Sequence, residues 1–283
     1  MKSLLVFVLS ILSIATFATP AQASRLGERM AKVSESFLGK PYVADPLGEG
    51  AKARFDRDPR LRLDGFDCTT FIETVLAISK SRRSQDVGSM MDRIRYKRGN
   101  VSFETRNHFT GVDWIANNSR AGYVRDITIE VAGSNARLAE ALIEKDEWYR
   151  HLSADRLSGV EESMKGKRLE ELRALSRNHG KSLESMPYIP KETIDKNPEL
   201  LEKIPQGSII NIVRPNWDLT KQIGTHMNVS HQGLAIHKGG VVYFRHASSS
   251  KNVLKVVEVP LVDYVRGTLA SPTIGGINVL QVR

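Results

Sequence analysis

The chain has 283 residues, of which 41% are hydrophobic and 26% are charged. This composition excludes a protein that is disordered throughout, because it provides enough apolar surface for a packed core. Lys and Arg outnumber Asp and Glu by 41 to 32, which gives a formal net charge of +9 and raises the question of an anionic partner.

Residues 1–23 have the pattern of a secretory signal peptide. Lys2 provides a positive start, residues 4–18 form an apolar run, and Ala21-Gln22-Ala23 offers the small residues of a cleavage site. The run is shorter than the ~20 residues of a membrane-spanning helix, and no later run reaches that length. We therefore expect a periplasmic or secreted protein without a membrane span, and one catalytic domain over residues 24–283.

Export limits the partners that the positive charge can have. Nucleic acid is a common partner of basic proteins, but an exported protein does not meet it. Cell-wall polymers, lipid head groups and surface glycans are the polyanions outside the inner membrane, and positive charge raises the local concentration of a protein near them. The alternative is that the charge only maintains solubility.

Helical patterns dominate the first two thirds of the expected mature chain, since apolar residues recur there at helical spacing. The predicted elements in chain order are a helix from Ser24 to about Gly39, a polar loop over 43–64, a helix that begins at Cys68, a basic segment over 80–98, strands at 101–106 and 127–131, charged helices over 136–185, and a linker-like stretch over 187–205.

Strand patterns dominate the last third, with turn residues between them. Helices followed by an antiparallel sheet predict the α+β class. The helical part is expected over 24–200, with the charged helices as an insertion, and the β part over 201–283. The predicted strands are 208–214, 231–237, 241–246, 253–259 and 277–283.

Cys68 is the only cysteine in the chain, so it cannot form an intramolecular disulfide. It lies where a loop passes into an amphipathic helix. The unpaired N–H groups and the dipole at a helix start stabilise a thiolate. Cys68 is therefore either a nucleophile or a small buried hydrophobic residue, which is a common role of a free cysteine.

Two histidines belong to one predicted hairpin. His231 begins the first strand, and His246 ends the second. A two-residue turn at Lys238-Gly239 makes them directly opposite, and one at Gly239-Gly240 makes them diagonal neighbours on the same face; a three-residue turn separates them. One histidine could then accept the thiol proton while the other fixes its tautomer.

Several motifs occur in an order that resembles the NlpC/p60 superfamily, whose members are papain-like bacterial cell-wall hydrolases. More narrowly, the chain resembles a branch described as N-acetylmuramoyl-L-alanine amidase-like. The resemblance covers nearly the whole expected mature chain. The motifs that carry it are Phe37-Leu-Gly-Lys-Pro-Tyr42, Phe66-Asp-Cys-Thr-Thr-Phe71, Arg106-Asn-His-Phe109 with Asp113-Trp114, Val229-Ser-His231, and His246-Ala-Ser248.

The resemblance implies a papain-like core in which helices pack on a β-sheet or barrel. It implies that Cys68 is the nucleophile, His231 the base and His246 the orienting residue. The implied substrate is peptidoglycan or a muropeptide, cleaved between the muramoyl lactyl group and L-alanine. Cleavage within the stem peptide after D-glutamate is the alternative bond. A silent wall-binding protein and a thiol acyltransferase are alternatives of other classes. We expect a monomer.

The segment between Arg106 and Trp114 has a high density of polar and aromatic residues. These residues predict a substrate-binding wall, in which arginine binds a carboxylate and tryptophan packs on a sugar face. The alternative is a buried polar network that holds a loop. The candidate substrate-binding residues are Tyr42, Arg106, Asn107, His108, Asp113 and Trp114.

A metal site is the remaining alternative for the histidines. His226, His231 and His246 lack the close spacing of common metal motifs. The single cysteine also lacks the second thiolate of a structural zinc site. We therefore expect no metal and no cofactor.

Overall fold

The computed structural model describes residues 20–283. Most of the predicted signal peptide, residues 1–19, lies outside the described residues. Helix α1 spans Pro20–Glu35, so it begins before Ser24, where the sequence predicted its start. Within residues 20–283, no helix is long and apolar enough to cross a membrane.

Ten α-helices and eight strands are found in the described part of the chain, together with short 3₁₀ segments and a π-helical turn at Thr110–Ile115. After α1, the helices are α2 Cys68–Lys80, α3 Val87–Arg95, α4 Ala116–Arg120, α5 Thr128–Ala132, α6 Lys145–His151, α7 Glu162–Ala174, α8 Lys191–Lys196, α9 Thr220–Ile223 and α10 Leu261–Arg266. The strands are β1 Val124–Asp126, β2 Arg137–Glu144, β3 Lys181–Pro190, β4 Ile209–Leu219, β5 Thr225–Lys238, β6 Val241–Ala247, β7 Val256–Pro260 and β8 Gly276–Val282.

The strands form one open antiparallel sheet in a mixed α and β fold. Its order is β2-β3-β8-β4-β5-β6-β7, and β1 also pairs with β8. The five strands predicted in the last third of the chain are confirmed as β4 to β8. Lys238 pairs with Val241, so the hairpin turn is Gly239-Gly240, one of the two registers that put the histidines on one face.

Helices pack on both faces of this sheet. Ile209 of β4 and Leu234 of β5 belong to a core shared with α1, α2 and α3. The next residues along the same strands, Ile210 and Ala235, belong to a second core with α8 and α10. This alternation follows from the two-residue period of a strand, and it makes the sheet the central layer.

Three predicted elements differ from the structure. Residues 101–106 form turns rather than a strand, because the Ser102 hydroxyl accepts from the Thr105 N–H at 3.2 Å and favours local turn geometry. Residues 127–131 fall mostly in helix α5, where the Asp126 carboxylate accepts from the Thr128 N–H at 2.9 Å.

The third difference is the region 136–185, which was predicted to be helical throughout. Its ends form β2 and β3, which pair with each other, and only its middle contains α6 and α7. Residues along β2 alternate between exposed and buried, which is a strand pattern hidden among charged residues. The predicted linker at 187–205 contains the end of β3 and α8. The helical part therefore contributes three strands to the sheet.

Candidate active site

The loop before α2 ends in a capping box that fixes the first turn of this helix. The Asp67 carboxylate accepts from the Thr70 N–H at 2.7 Å, and the Thr70 hydroxyl accepts from the Asp67 N–H at 3.0 Å. Cys68 is the first residue of α2, so its own N–H has no carbonyl partner one turn earlier in the helix. The thiol therefore lies beside free helix N–H groups, as the sequence predicted.

The sulfur of Cys68 lies in enclosed surroundings, although the residue as a whole is only partly buried. Burial raises the pKa of the thiol to about 12, and the neighbouring Asp67 carboxylate adds to the rise. The main-chain N–H groups of Gln232 and Thr69 act in the opposite direction. Burial prevails over the effect of the helix start and favours the neutral form of the thiol at rest.

The hairpin brings the two histidines into direct contact. His231 Nε2 lies 2.7 Å from His246 Nδ1. Burial lowers the pKa of His231 to about 4. Burial, followed by the proximity of His231, lowers the pKa of His246 to about 3. Both rings are therefore neutral at physiological pH, and one donates a hydrogen bond to the other. Nδ1 of His231 is the nitrogen not used in this contact.

A β-bulge precedes His231 and sets its direction. Ile212 pairs with His231 while the next residue, Val213, pairs with Val229, so Ser230 is an extra residue in β5. Bulges turn side chains and increase local twist, and they are common next to active sites. The sequence did not predict this bulge.

Tyr264 of α10 connects the two parts of the site. Its ring stacks against the His231 ring at a centroid distance of 6.5 Å and meets the His246 ring edge-on at 5.4 Å. Burial raises the pKa of Tyr264 to about 12, with Cys68 as the second cause. The thiol and the imidazoles therefore both have Tyr264 as a neighbour. Sequence reasoning missed this residue, since nothing in its local pattern indicates its distant contacts.

Tyr42 is a second tyrosine near the thiol. Burial raises its pKa to about 12, and Cys68 and Asp67 contribute in that order. Its main-chain N–H bonds to the Leu254 carbonyl at 2.9 Å, which fixes the loop after α1. Of the predicted substrate-binding residues, Tyr42 is therefore a neighbour of Cys68. Among the hydrogen bonds of residues 20–283, none joins Cys68 to His231 directly.

Comparison with known proteins gives the family. Residues 32–273 match the model of the AmiA-like family, described as N-acetylmuramoyl-L-alanine amidase-like. The chain belongs to this family. LPG0564 of Legionella pneumophila, a protein of the family DUF1460, is 39% identical over 91% of this chain and 89% of its own, with a TM-score of 0.88.

More distant structures share the fold of this AmiA-like protein. An N-acetylmuramoyl-L-alanine amidase of Bacteroides uniformis is 24% identical over 91% of this chain and 99% of its own, with a TM-score of 0.64. A putative xylanase of Bacteroides fragilis is 23% identical over 89% and 100% of the two chains, with a TM-score of 0.63. No protein of curated function matches the chain.

The Arg106 side chain of the AmiA-like protein is buried in a carboxylate network. It is 6% exposed, and its Nη2 donates to Asp56 at 2.7 Å. Its Nε donates to Glu49 at 2.8 Å. The guanidinium also lies over the Phe103 ring, 5.1 Å from the centroid. The charge of Arg106 is thus neutralised inside the protein.

The neighbours of Arg106 are also bonded within the protein. Asn107 donates to the Ile94 carbonyl at 2.9 Å. His108 Nε2 lies 2.7 Å from the Phe103 carbonyl. Asp113 pairs with Lys145. These contacts correspond to the alternative of a buried polar network.

Trp114 joins this segment to α2. It is 1% exposed, and its Nε1 donates to Glu73 at 3.0 Å. The other carboxylate oxygen of Glu73 accepts from Arg95 at 2.8 Å. These contacts of Glu73 hold α2 against α3 and the π-helical turn.

A cavity of about 760 Å³ lies beside this network rather than at the thiol. Glu49, Phe55 and Phe103 contribute to its wall. Within the described residues, no cluster of three or more His, Cys, Asp or Glu side chains could hold a metal ion.

Proposed function

We propose that this AmiA-like protein is an exported thiol amidase that hydrolyses peptidoglycan or its released muropeptides. The proposed bond is the amide between the muramoyl lactyl group and L-alanine. Membership of an N-acetylmuramoyl-L-alanine amidase-like family supports the reaction class. The observation that carries the thiol mechanism is the 2.7 Å contact between the buried imidazoles of His231 and His246, together with the main-chain hydrogen bond between the helix-initial Cys68 and Gln232, the residue after His231.

In this mechanism the Cys68 sulfur attacks the amide carbonyl carbon and His231 takes the thiol proton. The tautomer that acts as base carries its proton on Nε2, which donates to His246 Nδ1, so that His231 Nδ1 has a free lone pair. His246 then stabilises the imidazolium that forms. Because the thiol and His231 are both neutral at rest, the pair of thiolate and imidazolium forms only during attack.

The tetrahedral intermediate collapses when the amine leaves with the proton held by His231. Water then hydrolyses the acyl-enzyme and restores the thiol. The free N–H of Cys68 at the start of α2 is a candidate donor to the oxyanion. This chemistry belongs to the papain-like NlpC/p60 hydrolases that the sequence resembles.

The experiment is mass spectrometry of products from purified muropeptides. Cleavage at the proposed bond releases an intact stem peptide and a peptide-free muramic acid sugar. Cleavage after D-glutamate instead leaves a dipeptide on the sugar and overturns the bond assignment. An unchanged substrate with active positive-control enzyme overturns the amidase proposal.

A further inference from the structure

One hydrogen bond joins the residues next to the proposed nucleophile and base. The Thr69 hydroxyl donates to Gln232 Oε1 at 2.8 Å. Thr69 follows Cys68 in α2, and Gln232 follows His231 in β5. Since each partner is one residue from a catalytic group, the length of this bond limits how far the thiol can move from the imidazole.

Gln232 begins a row of amides that crosses the sheet. Gln232 pairs with Asn211 in β4, and Asn211 pairs with Asn278 in β8. We call these three residues the amide ladder. Gln232 Nε2 donates to Asn211 Oδ1 at 2.7 Å, and Asn211 Nδ2 donates to Asn278 Oδ1 at 2.8 Å. All three are at most 1% exposed, so each bond is shielded from water.

The far end of the amide ladder fixes the direction of every bond in it. Asn278 Nδ2 donates to the Pro187 carbonyl at 3.0 Å and to the Asp126 carboxylate at 2.7 Å. Both groups only accept hydrogen bonds. Asn278 must therefore present its oxygen to Asn211, and the same logic leaves Gln232 with an oxygen directed at Thr69. The Thr69 hydroxyl is consequently the donor.

The amide ladder lies where the register of β5 decides which face of the sheet His231 occupies. Ser230, the extra residue of the β-bulge, lies two residues before Gln232. A one-residue slip of β5 would turn His231 to the other face of the sheet. It would also bury unpaired amides, which costs free energy for each lost partner. The paired amides therefore hold the register directly after the bulge.

We propose that Thr69 and Gln232 are positioning residues that hold the thiol of Cys68 at the working distance from His231. The inference rests on the proposed function of Cys68 and His231. Catalytic groups lose rate steeply with displacement, since a misplacement of about 1 Å can cost on the order of 100-fold. The amide ladder makes the contact rigid by leaving Gln232 a single hydrogen-bonded arrangement.

The test compares Thr69→Val, which removes the hydroxyl at nearly constant shape, with Thr69→Ser, which retains it. We expect Thr69→Val to lower kcat on muropeptides about tenfold with KM unchanged, and Thr69→Ser to restore the wild-type rate. Gln232→Met should give a loss similar to that of Thr69→Val. The double variant should be no worse than either single variant, because all three lack the same bond.

Alkylation of Cys68 by iodoacetamide gives a readout that needs no cell-wall substrate. His231→Ala should slow alkylation at neutral pH because the thiol loses its base. Thr69→Val should slow it as well, and should have no further effect when His231 is already replaced. This comparison still decides the inference if the wild-type protein hydrolyses no muropeptide.

Two results would overturn the inference. One is alkylation and turnover of Thr69→Val at wild-type rates. The other is an equal loss in Thr69→Ser, which retains the hydrogen bond. If Gln232→Met does not fold, as judged from its thermal melt, the two Thr69 variants in the wild-type and His231→Ala backgrounds decide the matter alone.

Discussion

Two regions of this protein carry the polar and aromatic residues that look functional in its sequence, and they use them differently. The histidine site consists of Cys68, His231, His246 and Tyr264, and we propose that its polar groups act on a substrate. The arginine segment, residues 106–114, has its polar groups bonded inside the protein. The contact with His246 leaves Nδ1 of His231 uninvolved, whereas Arg106 is held by two buried carboxylates.

The difference teaches that polar density does not separate a binding wall from a structural network. Buried polar groups are normally satisfied by partners, so a network of this kind has the same residue types as a site. The histidine site differs in two ways. Burial shifts the pKa values of its groups, and the contact between the histidines leaves one ring nitrogen of His231 uninvolved. The predictions below test this contrast, from the largest expected effect to the smallest.

Replacement of Cys68 has the largest expected effect. Cys68→Ala and Cys68→Ser should abolish muropeptide hydrolysis, because alanine has no nucleophile and the serine hydroxyl is too weak an acid for a base like His231. Both variants should fold, since the change in volume is small. The measurement is turnover beside a thermal melt. Substantial turnover by Cys68→Ala would remove the histidine site from the reaction.

Replacement of the two histidines should separate their roles. His231→Ala should lose activity by on the order of 10²–10⁴-fold, which is the usual contribution of a general base. His246→Ala should lose less, because His246 orients His231 and stabilises its charge without taking the thiol proton. The check is kcat/KM of each variant with a melt as control. Equal and trivial losses would contradict both assignments.

Arg106→Ala should affect stability rather than thiol chemistry. The variant leaves Glu49 and Asp56 buried without their cation, and breaking a buried ion pair in this way costs about 3–5 kcal/mol. We therefore expect a large fall in the unfolding free energy by urea titration. Arg54→Ala is a matched control, because its ion pair with Glu171 is largely exposed and should contribute little.

The substrate-binding role of the arginine segment stays a prediction that the same variants test. In whatever fraction of Arg106→Ala stays folded, the contacts predict a normal alkylation rate of Cys68. A stable Arg106→Ala protein with a raised KM would instead support substrate binding.

The pH dependence of kcat/KM should have an acidic limb set by His231. Burial lowers the pKa of this ring to about 4, so the basic form persists down to that pH and activity should then fall about tenfold per pH unit. As the pH falls, the protein begins to lose stability at a higher pH than it begins to lose activity. An unfolded histidine has a pKa of about 6.5, so the unfolded state binds more protons between that pH and the folded pKa. Melts across this range provide the control.

A limb near the pKa of a free imidazole would contradict this assignment. It would mean that His231 is solvated in the working enzyme, or that another group limits the rate. His246→Ala distinguishes these cases. It removes a ring that helps to bury His231 and leaves the base in place, so it should shift the acidic limb only if His231 sets that limb.

The parts of the molecule that follow from short-range pattern were predictable. The capping box at Asp67 lies within four residues, and the β5–β6 hairpin is fixed by a two-residue turn and strand alternation. β2 and β3 were missed because each finds its partner across about 40 residues that include two helices. Their charged exposed faces also resemble solvated helices.

The parts of the site that depend on distant contacts could not be predicted. The bond from Thr69 to Gln232 joins residues 163 positions apart. Tyr264 reaches the histidine site from a helix with no motif of its own. The sequence supplies the chemistry of Cys68 and His231, whereas the fold determines how strongly they are buried and hence the direction of their pKa values.

The smallest expected effect concerns the charge beside the thiol. Asp67→Asn retains a side-chain oxygen that can accept from the Thr70 N–H, and asparagine is about as good a helix cap as aspartate. It removes the carboxylate that adds to the raised pKa of Cys68. We expect the pKa of the thiol to fall, so that more thiolate is present at any given pH and iodoacetamide reacts severalfold faster at neutral pH.

Asp67→Ala is the matched comparison, because it removes the cap together with the charge and should also lower the melting temperature. An unchanged alkylation rate in a stable Asp67→Asn protein would mean that burial alone sets the thiol pKa. The histidine site would then differ from the arginine segment in its solvent access rather than in the placement of its charges.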